Sequence, residues 1–294
     1  MGKALAEKMP AARTAFEDAD HALGMRLASL CFEGPDEELR LTANTQPAIL
    51  TTSIAALRCL EGAGVRPDFV AGHSLGEYSA LVAAGCLRFE DAVRIVRQRG
   101  IFMQEAVPPG EGAMAAITGC DVEVVKAACR EATSLGVCAP ANLNSPNQTV
   151  IAGHKPAVER AVQIARERGA RRTVMLAVSA PFHCELMKPA AERLYPVLAE
   201  TAFEDLNVPL VTNADARLVT SGREARDALI KQVPSPVYWS DSMKLLIGMG
   251  VTRFVEVGPG KALTGLLRQI DRECRVFNVS DPDSLDATVA SLQL

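Results

Sequence analysis

The sequence has no block of like charge. Its 31 Lys and Arg are interspersed with 35 Asp and Glu, for a formal net charge of −4, which argues against a basic arm for nucleic acid and against a polybasic membrane patch. Long apolar runs are also missing. Uncharged stretches such as 42–57 and 137–153 are broken up by Asn, Gln, Thr and Pro, so none reads as a membrane span. The opening MGKALAEKMPAA is amphipathic and mixed in charge; it has neither the apolar centre of a secretory signal nor the acid-free, Arg-rich pattern of a transit peptide. The expectation is a cytoplasmic protein with no nucleic-acid and no membrane partner.

Cofactor signatures are equally scarce. None of the eight cysteines stands in a C-x-x-C pair, so reduced, mostly buried thiols are expected in place of a zinc site or a disulfide framework. No His, Cys, Asp or Glu cluster has metal-ligand spacing, and no G-x-G-x-x-G follows a strand. Gly258-Pro259-Gly260-Lys261 is not a phosphate loop, because that motif needs Gly at 255 and Ser or Thr at 262, where this chain has Val255 and Ala262. Neither metal catalysis nor nucleotide redox chemistry is expected. What remains is a chain of 294 residues, 48% hydrophobic and 22% charged, with ample material for a packed core.

Periodicity gives the organisation. From Met1 to about Gly64 the signals are helical, with Leu5, Met9, Ala12, Phe16 and Leu23 at three-to-four spacing and a second helix expected to open at Pro47. The first strand candidate is Phe69-Val70-Ala71. Beyond a helix at 89–106 and the breaker Pro108-Pro109-Gly110, the stretch 112–178 reads strand, helix, strand, strand, helix, strand. That βαββαβ order is the ferredoxin-like pattern. The expected fold is α/β: a discontinuous large subdomain, 1–110 and 179–294, with an inserted ferredoxin-like small subdomain, 111–178.

Three residues stand out for chemistry. Gly72-His73-Ser74-Leu75-Gly76 follows the strand candidate and precedes a helix, the context a nucleophile elbow requires. Glycines on both sides of Ser74 would keep Cβ atoms out of a crowded turn, and the Leu75 N–H at the helix start would face a developing oxyanion. A capping serine in a glycine-rich turn is the plainer alternative. Ser74 needs a base, and there are four histidines. His21 lies on an amphipathic helix, His73 adjoins the serine, and His154 sits in a strand-to-helix turn. His183 lies where the chain returns from the insert, at the seam where a cleft would form, and is the candidate base by elimination. Arg99 falls by helical phase within the apolar stripe of Ala92, Ile95, Val96, Phe102 and Met103. It either pairs internally with a carboxylate or holds a substrate carboxylate with its two-pronged guanidinium; phase alone leaves both open.

The sequence resembles the malonyl-CoA:acyl carrier protein transacylases. The likeness is carried by Ala71-Gly72-His73-Ser74-Leu75-Gly76-Glu77-Tyr78, Gln98-Arg99-Gly100 with Phe102-Met103-Gln104, Asn144-Ser145-Pro146 with Gln148, His183 with Met187-Lys188-Pro189-Ala190, and Val257-Gly258-Pro259-Gly260-Lys261. It implies an α/β-hydrolase-like large subdomain with a ferredoxin-like insert. It also implies ping-pong transfer of a malonyl group from malonyl-CoA through Ser74 to the phosphopantetheine thiol of acyl carrier protein, with no cofactor of its own. His183 would act as base and then acid, oriented by the main-chain carbonyl at the position of Gln232, and Arg99 would hold the malonyl carboxylate.

The family opens with an apolar strand and a Gly-Gln-Gly-Ser-Gln loop that supplies a second oxyanion donor. Neither is found in this sequence, so the chain as given is expected to be slow and less stable, and restoring such residues to rescue it. Competing readings are a transferase for other acyl groups such as methylmalonyl, a serine hydrolase, and an activity-impaired carrier-binding form.

Overall fold

The computed structural model describes residues 1–178 and 180–292. Helices come first: α1 (Lys3–Lys8), α2 (Pro10–Leu23), α3 (Leu27–Glu33), α4 (Asp36–Arg40) and α5 (Thr42–Gly62). α5 begins five residues before Pro47 and carries that proline inside it; without an N–H, Pro47 leaves the Ala43 carbonyl without its usual intrahelical bond, and the buried packing of α5 on its neighbours holds the helix through that position. β1 (Val70–Ala71), α6 (Gly76–Ala83) and α7 (Phe89–Glu105) follow. α2, α5 and α7 pack on one another around Phe16, Leu50, Ile54, Leu81 and Val96, all buried. α5 and α7 approach so closely that a Cβ on Gly100 would sit 2.6 Å from Ala43 Cα.

The next stretch contains β2 (Gly112–Thr118), α8 (Val122–Ala132), β3 (Cys138–Ser145), β4 (Gln148–His154), α9 (Lys155–Glu167) and β5 (Arg172–Met175). Its sheet has the order β3-β4-β2-β5, every pair antiparallel, which is the ferredoxin-like arrangement expected from the element order. β5 ends at Met175, three residues before the expected strand end. The alternation of side chains explains how the sheet buries both faces. Ala115, Ile117 and Ile151 face α8 and α9, while Met114, Val150 and Ala152 pack with Cys184, Phe182 and Leu186 on the other side. That second face carries the segment around His183.

The remainder comprises α10 (Lys188–Glu200), β6 (Leu210–Val211), β7 (Leu218–Val219), α11 (Gly222–Gln232), α12 (Trp239–Gly248), β8 (Arg253–Val257), α13 (Ala262–Ile270), β9 (Arg275–Val279) and α14 (Pro282–Leu292). β1 pairs in parallel with β6, and β8 with β9. The expected boundary residue Ser179 lies outside the described residues. Among the described residues no helix is long and apolar enough to cross a membrane.

Candidate active site

Ser74 occupies the turn between β1 and α6 with φ of 52°, a left-handed conformation that L-residues adopt only when the surroundings enforce it. Two features enforce it. A Cβ on Gly72 would lie 1.9 Å from the Gly76 carbonyl oxygen, so the chain can turn this tightly only with glycine at 72. Gly76 has open space around its own Cβ position, so the second glycine of the pair is not sterically required. Asn213, just beyond β6, clasps the turn: its Oδ1 accepts the Ser74 N–H at 2.6 Å and its Nδ2 donates to the Gly72 carbonyl at 2.6 Å. The Leu75 N–H donates to no partner among the described residues and stands at the positive end of α6.

His183 Nε2 lies 2.7 Å from Ser74 Oγ. The ring is buried, 3% exposed, and the residue also has positive φ, 60°. Its Nδ1 is 3.2 Å from two main-chain carbonyls, Gln232 and Ser235. Both are acceptors, so the proton resides on Nδ1 and Nε2 presents its lone pair to the serine. Burial, the Arg99 cation and the neighbouring His73 together depress the imidazole pKa to about 3, which keeps the ring neutral at physiological pH.

Arg99 is 2% exposed. Its Nη1 donates to Gln46 Oε1 at 2.6 Å, and its Nη2 to Gln232 Oε1 at 2.9 Å and Ser74 Oγ at 3.1 Å. All three partners are neutral, so the arginine is not spent on a protein carboxylate. A buried guanidinium with neutral partners keeps its charge available to an anion. The remaining histidines do other work. His73 hydrogen-bonds Asn144 at 2.8 Å against Trp239, and His154 Nδ1 accepts the Val137 N–H. His21 is exposed.

The profile of the acyl transferase domain matches residues 1–282. The malonyl CoA-acyl carrier protein transacylase of Bacillus subtilis is 51% identical over 294 residues, spanning 100% of this chain and 93% of its own length. The chain belongs to the malonyl CoA-acyl carrier protein transacylase family. Among solved structures, the Coxiella burnetii transacylase superposes with a TM-score of 0.97 at 42% identity, covering 100% of this chain and 93% of that one. A malonyl-transacylase solved in complex with a type II PKS acyl-carrier protein gives 0.97 at 43% identity, covering 99% and 94%.

Within this transacylase fold, Ser74, Leu75, Arg99, His183 and Gln232 converge on one point, drawn from positions up to 158 residues apart. Four further groups join them that the sequence did not single out. Asn213 stands at the end of a short strand, a position where α/β folds place functional residues, and this was the available signal. Gln46 is one of several buried polar residues of α5, so nothing in the sequence set it apart from its neighbours. The Ser235 carbonyl leaves no trace in a sequence. Glu77 is completely buried, and desolvation pushes its carboxyl up to about 7 against hydrogen bonds from Gln232 and Asn213 and the Arg99 charge.

Proposed function

We propose that this chain transfers a malonyl group from malonyl-CoA to the phosphopantetheine thiol of an acyl carrier protein, through an ester on Ser74. The observation that carries the reading is the position of Ser74 Oγ, 2.7 Å from a neutral imidazole nitrogen and 3.1 Å from a buried guanidinium. The first makes an acyl acceptor of the serine, and the second selects an acyl group ending in a carboxylate.

In the first half-reaction His183 Nε2 takes the Ser74 proton as Oγ attacks the thioester carbonyl. The oxyanion is met by the Leu75 N–H and the N-terminus of α6. Collapse expels the CoA thiolate, which takes the proton from His183. In the second half-reaction His183 takes the proton of the carrier thiol, the thiolate attacks the Ser74 ester, and the serine oxygen leaves with that proton. The Gln232 and Ser235 carbonyls hold Nδ1–H throughout and stabilise the transient imidazolium. The malonyl carboxylate neutralises Arg99, which removes one cause of the low basicity of His183, so the cognate acyl group strengthens its own base.

This reading takes 1–110 and 179–294 as the large subdomain and 111–178 as the small one. It needs no cofactor beyond its thioester and thiol substrates and takes the reaction to be cytoplasmic. Incubation with malonyl-CoA followed by peptide mass spectrometry should find the malonyl ester on Ser74, and adding holo carrier protein should move it to the carrier. Release of free malonate with no carrier adduct would sink the transferase reading in favour of a hydrolase.

A further inference from the structure

Glu77 is the one fully buried carboxylate at this site, and the acyl transfer just described makes no use of it. It sits on α6 among Tyr78, Ala80 and Leu81, all buried, where an apolar residue would avoid the cost of desolvating a charge. Nor does it pair with Arg99, whose hydrogen bonds go to Gln46, Gln232 and Ser74. One oxygen, Oε2, accepts two hydrogen bonds: from Gln232 Nε2 at 2.7 Å and from the Asn213 main-chain N–H at 3.1 Å. The other, Oε1, has no hydrogen-bond partner among the described residues.

The Gln232 side chain is the relay. Its Nε2 donates to Glu77 and also to the Ser74 carbonyl at 2.9 Å, while its Oε1 accepts from Arg99 at 2.9 Å. A side-chain amide has two nearly isosteric orientations, and only its neighbours choose between them. Glu77 Oε2 and the Ser74 carbonyl oxygen, as acceptors, both demand the NH₂ end, which leaves the oxygen for Arg99. If the amide turned over, its NH₂ would meet the guanidinium, donor against donor, and its oxygen would meet two acceptors. The fork would then be pushed off the serine.

We propose that Glu77 is a positioning residue for acyl specificity: by fixing the orientation of the Gln232 amide, it aims Arg99 at the acyl carboxylate. It acts through Gln232 and does not touch the substrate. The inference rests on the reading of Arg99 as the carboxylate clamp, and the test separates the two.

The readout is the ratio of kcat/KM for Ser74 acylation by malonyl-CoA to that by acetyl-CoA, since acetyl has no carboxylate to clamp. Glu77→Met, which keeps an unbranched buried side chain, should lower the ratio by about 10- to 100-fold, the range for losing a hydrogen bond to a charged group. Glu77→Gln retains an acceptor oxygen at the position of Oε2 and should restore the ratio to within a few-fold of the parent. A general loss of fold would lower both rates together and leave the ratio unmoved. Gln232→Met, which preserves the main-chain carbonyl to His183, should lower the ratio as Glu77→Met does, and adding Glu77→Met to it should change nothing more. If Glu77→Met does not fold, Gln232→Met alone decides, because an unchanged ratio there removes the relay. An unchanged ratio in Glu77→Met, or additive effects in the double variant, overturns the proposal while Arg99→Ala still collapses the ratio. An unchanged ratio in Arg99→Ala overturns the clamp reading itself.

Discussion

The two sheets that flank the seam are held by different means. The β3-β4-β2-β5 sheet is a continuous ladder, with seven paired positions between β2 and β4 and an apolar layer against α8 and α9. The sheet that carries Ser74 pairs only two residues of β1 with two of β6. There the geometry is set by side chains that reach the main chain: Asn213 to Gly72 and Ser74, Gln232 to Ser74, Glu77 to Asn213. A ladder with an apolar layer spreads its contacts over many residues, so a local change costs stability without moving the atoms of the site. A short strand braced by buried amides holds particular atoms in uncommon conformations, and a single substitution moves the chemistry. The first region should therefore govern how well the chain folds, and the second what it does once folded.

Substitutions can break that division. The largest effect is expected from His183→Ala, which removes the imidazole whose Nε2 lies 2.7 Å from Ser74 Oγ. Rapid-quench measurement of Ser74 acylation should show a loss of about 10²- to 10⁴-fold, the usual contribution of a general base, with the melting temperature little changed. The counterpart is Ile151→Ala, fully buried in the ladder sheet. It should cost roughly 2–5 kcal/mol in urea unfolding, while the malonyl-to-acetyl ratio of the folded fraction stays at the parent value. A shifted ratio there would show that the two regions are not separable.

Arg99→Ala sharpens the comparison within the site. The malonyl-to-acetyl ratio should fall by about 10²-fold, in keeping with removal of one partner of a buried charge pair. Its pH dependence carries a second signature. In the parent, His183 is held at about 3 by burial first and Arg99 second, so the acid limb of kcat/KM for acetyl-CoA should lie far below the ~6.5 of an ordinary imidazole. Removing the cation raises the folded pKa, and the limb should move upward toward neutrality. A limb that stays in place would mean that burial alone sets the basicity.

Legibility in the sequence followed the same division. The ladder sheet was readable because each element carries its own period: the strand, helix, strand, strand, helix, strand order expected over 112–178 is the order observed from β2 to β5, and that order specified the sheet. Ser74 was readable because strand, glycine turn and helix are contiguous. Arg99 was readable as a charge in an apolar stripe, although its neutral partners were not, since Gln46 and Gln232 lie 53 and 133 residues away. Asn213, Glu77 and the Ser235 carbonyl escaped for that reason. Their roles arise from tertiary contact between segments with no shared local pattern.

Ser74 and His183 share an attribute that no other pair of site residues has: each sits at positive φ, 52° and 60°. A left-handed L-residue costs roughly 1–2 kcal/mol relative to glycine, so the native chain forgoes stability at the two positions proposed as nucleophile and base. Ser74→Gly should therefore yield an inert protein that melts at or slightly above the parent in calorimetry, and a clear drop would show that the serine side chain is a net brace for the turn. Such a trade-off has a practical side. A protein silenced at Ser74 retains the Gly72 and Asn213 clasp and the shape of its acyl site, which makes it a durable trap for a carrier complex that the active chain would discharge.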